Sequence, residues 1–350
     1  MKKLSVLFAA AAMFAFVGCN KENASTYVAD ENVMVTLTMS GENWQNTSKQ
    51  TYLDIVNRIA FDINDVAIIN GVNANVIPCD VTGATTNPDE TPVARSFYAQ
   101  MQVDANVLTG TDYVIYPAGM FTAGTAADMS DYTVTMSATP MFIESDMNTM
   151  LDENYPAWPM AAKLSGHNFL LKNAVAIATP SIKYGAPFIN ALATMTDSPI
   201  ANENVDVLTG YNFPELYIEE VELTSTDQVL AGLGHLENMD TDPILVMEAT
   251  GTNTITIDCD EHQVMPTGNG EDLLGNITIA PFAAGKHLQM NVKFILYFPE
   301  TDGEYEFVYT GSSIEMTDTP NTNRILRSKR STLCVNLFQA DAINKVALVD

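Results

Sequence analysis

The sequence predicts an all-β protein made of two antiparallel β-sandwich domains in tandem. In the first candidate strand, Val33, Val35, Leu37 and Met39 alternate with other residues, which is the period of a half-buried strand. Comparable runs recur to the end of the chain, separated by clusters of Gly, Pro, Asn and Asp. A parallel α/β fold would need crossover helices of roughly ten or more residues, and the patterning indicates none of that length. Stacked antiparallel sheets are therefore the expected architecture.

A proline-rich stretch at residues 155–159 marks the expected boundary between a first domain at 33–160 and a second at 161–350. In the first domain, strands are predicted at 33–40, 52–63, 66–70, 74–79, 97–104, 112–116 and 132–137. A short helix is predicted near 144–151, with Ser145 or Asp146 as its cap. In the second domain, strands are predicted at 168–183, 215–225, 228–232, 244–249, 253–258, 276–279, 287–298, 304–309 and 332–338.

The alternation in the second domain also identifies core residues. Two strands should direct apolar side chains inward, namely Ile218, Val221 and Leu223 on one and Leu288, Met290, Val292, Phe294 and Leu296 on the other. Replacing one of these residues with Ala should cost on the order of 2–5 kcal/mol of stability.

Charge excludes one class of partner. The 350 residues include 16 Lys and Arg against 43 Asp and Glu, which gives a net charge of −27. So acidic a chain is not expected to make extended contacts with nucleic-acid phosphates or anionic lipid headgroups. The hydrophobic fraction of 47% is sufficient for two domains of ordinary size.

The N-terminus predicts export and lipid attachment. Residues 1–18 combine Lys2 and Lys3 with an apolar run that is shorter than the roughly 20 residues of a membrane-spanning helix, as in a signal peptide. The run ends in FVGC, which resembles the lipobox of bacterial lipoproteins, so Cys19 is the expected lipid-attachment residue, followed by a polar tether at 19–32. The alternative is an ordinary secretory signal in which Cys19 is incidental. No transmembrane helix is expected.

The three remaining cysteines are an odd number and a poor disulfide framework. Cys79, Cys259 and Cys334 are therefore interpreted as small apolar core residues.

No residue pattern indicates catalysis or a cofactor. The histidines are isolated from one another, and Asp258 and Asp260 would share one strand face while Cys259 points the other way. Phosphate-binding, EF-hand and nucleophile-elbow motifs are missing from the sequence. Trp44 and Trp158 are explained by core or hinge packing as well as by a sugar-binding cleft. The chain is therefore not expected to be an enzyme.

A basic stretch stands out in this acidic chain. Arg324, Arg327, Lys329 and Arg330 lie within seven residues of sequence. They are interpreted either as a solvated strand face opposing acidic neighbours or as a protease-sensitive or partner-binding stretch.

Several phrases of the sequence, taken in order, resemble the fimbrillin family, the lipoprotein pilins of Bacteroidales-type surface fimbriae (type V pili). The resemblance runs through most of the chain. It is carried by the lipobox and by YLDIVNRIAFDI at 52–63, Tyr116-Pro117, PMAA at 159–162, FLLKNAVA at 169–176 and the EEVELTS and LAG phrases within 216–232.

The resemblance implies two transthyretin-like β-sandwich domains, an outer-membrane lipoprotein at the cell surface, and assembly into a fimbrium by donor-strand exchange. In related pilins a trypsin-like protease removes the first strand, and a strand of the next subunit fills the resulting groove. Mapped onto this chain, the removable strand is 33–40, and Lys49 and Arg58 are the candidate cut sites. The candidate donor segment is 342–350, where Ile343, Val346 and Leu348 alternate imperfectly.

The first functional hypothesis is a structural subunit or an accessory anchor or tip component of surface fimbriae that serves cell adhesion. Its partners would be other fimbrial subunits in a homo- or hetero-polymer, the outer membrane through the lipid, and a host or bacterial surface ligand. The alternative is a surface lipoprotein that binds glycans for uptake, which would use rows of exposed Tyr or Trp on one sheet face. An enzyme would need a cleft that gathers carboxylates from distant strands.

Overall fold

Strands make up most of the regular structure in the computed structural model, which confirms the all-β prediction. The structure describes residues 33–42, 45–46, 61–62, 65–79, 95–96, 98–140, 158–206, 208–265, 272–317 and 323–349. The helix predicted at 144–151 and most of the strand predicted at 52–63 lie outside these ranges.

Up to residue 173, the described strands are β1 (Met34–Gly41), β2 (Gln45–Asn46), β3 (Phe61–Asp62), β4 (Val66–Ile69), β5 (Val72–Pro78), β6 (Arg95–Ser96), β7 (Tyr98–Asp104), β8 (Tyr113–Tyr116), β9 (Phe121–Thr122), β10 (Thr133–Met136), β11 (Met160–Lys163) and β12 (Asn168–Asn173). The later strands are β13 (Ala176–Tyr184), β14 (Glu215–Thr224), β15 (Gly232–Glu237), β16 (Ile244–Met247), β17 (Thr254–Val264), β18 (Asp272–Leu273), β19 (Ile277–Ile279), β20 (His287–Phe298), β21 (Gly303–Thr310), β22 (Ile314–Glu315), β23 (Lys329–Leu337) and β24 (Val346–Leu348). Helix α1 spans Ala186–Ala193, and short 3-10 helices span Ala105–Val107, Ala118–Met120 and Ala340–Lys345.

Most predicted strands are present, with ends shifted by a few residues, and two predictions are wrong. The strand expected at 168–183 is two strands, β12 and β13, because the chain passes between different sheets at the buried residues Ala174 and Val175. The strand expected at 228–232 begins only at Gly232, as β15, because the two preceding residues instead bond to the backbone of Thr252.

The first strand closes a barrel. Strands follow one another around it in the order β1-β12-β11-β8-β4-β5-β7, and β1 pairs antiparallel with β7 and parallel with β12. The expected antiparallel pairing is wrong for β1 and β12, which run parallel, and the two ends of the curved sheet meet on either side of β1. Phe61, Ile69, Ile115 and Phe169 are fully buried in the barrel core.

Residues from beyond the expected domain boundary contribute to this first core. Besides β12, the hairpin of β15 and β16 extends a small sheet of order β16-β15-β10-β9. Leu236, Met239 and Leu245 of this hairpin region pack in the same cluster as the barrel residues. Residues 34–350 group as one compact unit, and the division into 33–160 and 161–350 stays a prediction.

The remaining strands form two sheets around a second core. One has the order β18-β13-β23-β2 with β19 beside β13, and the other has the order β17-β14-β20-β21-β24 with β22 beside β20. Tyr184 and Val335 from the first sheet share one hydrophobic cluster with Phe294 and Phe307 from the second. Two sheets that share one core match the sandwich expectation. The pairings are not all antiparallel, however, since β13 and β2 each run parallel to β23.

The predicted core residues of the second half are buried, with one exception. Ile218, Val221, Leu223, Leu288, Val292, Phe294 and Leu296 are all buried, and Met290 is half-buried against the same cluster. Ile218 and Val221 are three residues apart, which simple alternation would place on opposite faces. A β-bulge between Ile218 and Glu220 shifts the register, so both side chains point inward.

The cysteine prediction holds for one residue of three. Cys259 is buried, and burial raises the pKa of its thiol to about 12. Cys79 and Cys334 are exposed, so the prediction is wrong for them. Cys334 shares the outward face of β23 with the exposed Thr332, and Cys79 follows the end of β5.

Candidate functional site

The first strand is the candidate functional site, because its backbone is paired along both edges. Along one edge β1 runs antiparallel to β7, from Met34 opposite Asp104 to Ser40 opposite Tyr98. Along the other edge the last residues of β1 run parallel to β12, and the Thr38 N–H donates to the carbonyl of His167 at 2.9 Å. Removing β1 would leave two unpaired strand edges facing each other.

The side chains of β1 alternate between more buried and more exposed positions. Leu37 and Met39 have no exposed surface, whereas Thr36 is exposed. Leu37 lies opposite the buried Met101 of β7, and Met39 lies opposite the buried Phe169 of β12. Alternate side chains of β1 therefore complete the barrel core, while the others face outward.

Glu42, the residue after β1, is held by a two-pronged ion pair. Arg327 Nη1 donates to Glu42 Oε2 at 2.6 Å, and Arg327 Nη2 donates to Glu42 Oε1 at 3.2 Å. The backbone N–H of Asn173 also donates to Glu42 Oε2, at 3.1 Å. The Arg327 and Glu42 side chains are 18% and 20% exposed, so the pair is mostly shielded from solvent. We call Arg327 together with the Asn173 N–H the carboxylate site.

The Asn173 side chain supports the carboxylate site from behind. Its Oδ1 accepts a hydrogen bond from the indole N–H of the buried Trp158 at 2.8 Å. Its Nδ2 donates to Ser328 Oγ at 2.9 Å. The backbone carbonyl of Asn173 accepts a hydrogen bond from Arg327 Nη1 at 2.8 Å. Asn173 is itself fully buried, so these bonds fix the orientation of the N–H that meets Glu42.

Asp242 makes a second, weaker contact with Arg327. Its Oδ1 lies 3.2 Å from Arg327 Nη2 and 2.9 Å from the Lys172 ammonium. The hydrogen bond from Lys172, with a smaller electrostatic effect of Arg327, lowers the pKa of Asp242. The Asp242 side chain is 62% exposed, so its contribution to stability is small.

After Glu42, strand β2 pairs with a sheet of the second core. Strand β2 pairs parallel with β23, with Gln45 opposite Lys329 and Asn46 opposite Arg330. The segment 34–46 therefore contacts the barrel through β1, the carboxylate site through Glu42, and the sheet of the second core through β2.

The other predicted site residues divide into two groups. Cys19, Lys49 and Arg58 lie outside the described residues. The candidate donor segment pairs within the same chain, because Val346–Leu348 forms β24 and runs antiparallel to β21. Leu348 is about half exposed. In the basic stretch, Arg327 contacts acidic neighbours and Arg330 Nε donates to Thr179 Oγ1 at 3.0 Å, so both side chains have internal partners.

The described residues contain no group of His, Cys, Asp and Glu side chains that could hold a metal ion. Three histidines each face one carboxylate; the closest such contact joins His287 Nδ1 and Asp227 Oδ2 at 2.7 Å. Among the described helices, none is long and apolar enough to cross a bilayer.

The most exposed aromatic side chains in the described ranges do not form a row on one sheet. Among large hydrophobic residues with high exposure in the described ranges, the aromatic members are Tyr98 on β7 and Tyr211 in the loop before β14. They stand on different elements rather than in a row on one sheet face.

A separate buried carboxylate stabilises the loop between α1 and β14. Glu203 accepts hydrogen bonds from the hydroxyl of Thr301, from the Tyr305 hydroxyl at 2.5 Å and from the Asn212 amide. Burial raises the pKa of Glu203, but these hydrogen bonds outweigh that effect and the pKa is lowered overall. The cluster joins this loop to the turn between β20 and β21, which is a structural role.

Comparisons with known proteins give structural neighbours at low similarity. The chain matches no protein-family model and no curated protein. Three similar solved structures, each named "putative cell adhesion protein", come from Bacteroides ovatus, Bacteroides eggerthii and Bacteroides fragilis. The first is 12% identical and covers 91% of this chain and 97% of its own, with a TM-score of 0.38. The second is 13% identical and covers 88% of both chains, with a TM-score of 0.37, and the third is 11% identical and covers 86% of this chain and 93% of its own, with a TM-score of 0.31. At these TM-scores the neighbours do not assign a function.

The resemblance implies that β1 is the removable strand, but the sequence does not reveal the residues that hold the end of this strand. Glu42, Arg327 and Asn173 are far apart in the sequence and meet only in the fold. The available signal was the basic stretch itself, since a cluster of cations in so acidic a chain needs carboxylate partners.

Proposed function

We propose that this protein is a cell-surface adhesion component of the fimbrillin type, a fimbrial subunit or an accessory anchor or tip protein. In this proposal Cys19 attaches the chain to the outer membrane, the two halves correspond to the two transthyretin-like domains of that family, and assembly with other subunits proceeds by donor-strand exchange.

The observation that supports the proposal is the position of β1. Strand β1 closes a barrel, both of its edges are paired, and its Leu37 and Met39 side chains are fully buried, so other strands surround it. Its removal would open a slot that presents unpaired backbone groups and an apolar floor. Another extended segment with the same alternation of apolar residues can pair with these backbone groups and cover the apolar surface. This is the physical basis of strand addition.

The candidate cut sites suit this scheme. Cleavage after Lys49 or Arg58 would separate β1, Glu42 and β2 from the rest of the chain. The released segment would then be held only by non-covalent contacts, so a competing segment could displace it.

Limited digestion of the mature chain with trypsin tests the proposal. We expect loss of the segment from residue 19 to residue 49 or 58, followed by higher oligomers in size-exclusion chromatography and native mass spectrometry. A variant with both Lys49→Gln and Arg58→Gln should keep the segment and stay monomeric under the same conditions. A chain that loses β1 and remains monomeric at high concentration would contradict assembly by strand exchange.

Lipid attachment is tested separately by labelling cells with an alkyne fatty acid. The chain should incorporate the label and fractionate with the outer membrane, and Cys19→Ala should abolish both. Label on the Cys19→Ala chain would refute the assignment of this residue.

A further inference from the structure

We propose that the groove in which β1 lies preferentially binds strands that have a carboxylate at the position of Glu42. The carboxylate site provides this preference because it binds that carboxylate. This inference rests on the proposed strand exchange and deepens it, because it states the chemistry that an incoming segment must carry.

The carboxylate site matches the shape of a carboxylate. Arg327 offers two parallel N–H groups, one to each oxygen of Glu42, and the Asn173 N–H reaches one of the same oxygens. Such paired donors are geometrically specific for planar anions. A Gln side chain at this position would present one oxygen and would turn an amide N–H₂ toward a guanidinium, leaving a donor unpaired.

Among the described residues, Asp242 is the other carboxylate that contacts Arg327 when β1 leaves. Arg327 would keep its hydrogen bond to the Asn173 carbonyl and its contact with Asp242, but Asp242 also binds Lys172 and its side chain is mostly exposed. The Asn173 N–H would lose its acceptor while the Asn173 side chain stays tied to Trp158 and Ser328. An emptied slot would therefore present oriented donors at its end, which favours an acidic occupant and disfavours a neutral or basic one.

The spacing completes the description of the occupant. Val35, Leu37 and Met39 lie on the inward side of β1, and Glu42 follows three residues after Met39. The occupant is therefore an extended segment with apolar residues at alternate positions and an acidic residue three positions after the last of them. The apolar positions supply burial, and the acidic residue fixes the register, because a shift by one residue would move the carboxylate away from Arg327.

A peptide exchange experiment on the nicked full-length chain tests the selection. The probe is a fluorescent peptide of residues 33–46, compared with the same peptide carrying Glu42→Gln, each added to wild-type chain cut by trypsin and to cut Arg327→Met chain. On the wild-type chain we expect the Glu peptide to be incorporated with at least about tenfold higher affinity, the size of one charge-assisted hydrogen bond. On Arg327→Met the preference should fall to about twofold or less. A peptide with Leu37→Asp should be rejected by both chains, which controls for occupation of the slot.

Two outcomes separate this inference from the proposed function. Incorporation of both peptides with equal affinity into the wild-type chain would overturn the carboxylate selection and leave strand exchange intact. Failure of every peptide to enter would count against exchange, and the carboxylate site is then tested in the uncut chain.

In the uncut chain, hydrogen exchange of the β1 amides is measured for Glu42→Gln, Arg327→Met and the double variant. The single variants should each accelerate exchange, and the double variant should be no faster than the faster single one, since the pair acts as a unit. Additive accelerations would show that Glu42 and Arg327 are not coupled and would overturn the inference. If Arg327→Met does not fold, Arg327→Lys keeps the charge and removes the paired donors, and it should show the same loss of coupling in part.

Discussion

Leu37→Ala tests most directly whether β1 is part of the barrel core. Leu37 is fully buried and lies opposite the fully buried Met101, and β1 is held by a strand on each side. Because both neighbours are fixed in the closed barrel, the cavity has little room to collapse. The expected loss of unfolding free energy is therefore in the upper part of the usual range, about 3–5 kcal/mol.

Urea unfolding followed by tryptophan fluorescence measures this loss. Trp158 is buried in the barrel core, so a Trp44→Phe background makes the signal report on the barrel. With an m-value of about 2 kcal/mol/M, the midpoint should fall by about 1.5–2.5 M urea. Thr36→Val, at the exposed neighbouring position, is the matched control and should change the free energy by less than about 0.5 kcal/mol. Equal effects of the two substitutions would refute the core assignment of β1.

Three further predictions follow from other residues. Because the pKa of Glu203 is lowered in the folded protein, its ionised form stabilises the fold fully above the unfolded-state pKa of about 4.5, and this stabilisation is lost as pH falls through the folded-state pKa. Glu203→Gln should therefore weaken the loss of unfolding free energy at acid pH, and an unchanged pH dependence would contradict the assignment. The raised pKa and burial of Cys259 predict that maleimide at pH 7 labels the two exposed cysteines that the structure describes and reaches Cys259 only after unfolding, as peptide mass spectrometry can show. A Cβ at Gly311 would lie 2.1 Å from the Met290 carbonyl oxygen, whereas one at Gly119 would meet nothing, so Gly311→Ala should lower the melting temperature by several degrees more than Gly119→Ala.

Alternation of apolar residues predicted most strands, because successive side chains of a half-buried strand point in turn to the core and to solvent. The inward positions of β20 show this plainly, since Val292, Phe294 and Leu296 are buried as expected. The pattern does not record which strands are neighbours. The pairing of β1 with β12 joins residues more than a hundred positions apart, and closure of the barrel depends on that pairing.

Two local misses have identifiable physical causes. Strand β15 begins with Gly232 and contains Gly234, residues that normally argue against a strand. In the fold a Cβ at Gly232 would lie 2.8 Å from the Gly251 Cα, so the close approach of two backbones requires glycine there. Helix α1 was not predicted because it is short; its signals were Pro187 in the first turn and the inward spacing of Phe188, Ile189 and Leu192.

The carboxylate site could not have been assembled from the sequence. Glu42, Asn173 and Arg327 belong to three distant segments, and the basic stretch around Arg327 does not indicate which carboxylate it binds. Their meeting depends on the crossing of the chain from β12 to β13 and on the position of residues 324–330 beside it. Local patterning predicts elements, whereas a constellation of this kind follows from topology.

The position of β1 also determines how the protein would respond to mechanical load. In the proposed lipoprotein, tension from the membrane would travel along the tether and enter the fold at Met34, the first residue of β1. A pull along the strand axis would have to shear the ladders to β7 and β12 together, and at the far end it would have to break the ion pair between Glu42 and Arg327. When a strand is pulled along its axis, all of its inter-strand hydrogen bonds carry the load together, whereas a strand peeled sideways loses them one at a time. The lifetime under force is set by the resulting unfolding barrier. The uncut protein would therefore resist extraction through the paired edges of β1, and cleavage after β2 would remove that resistance.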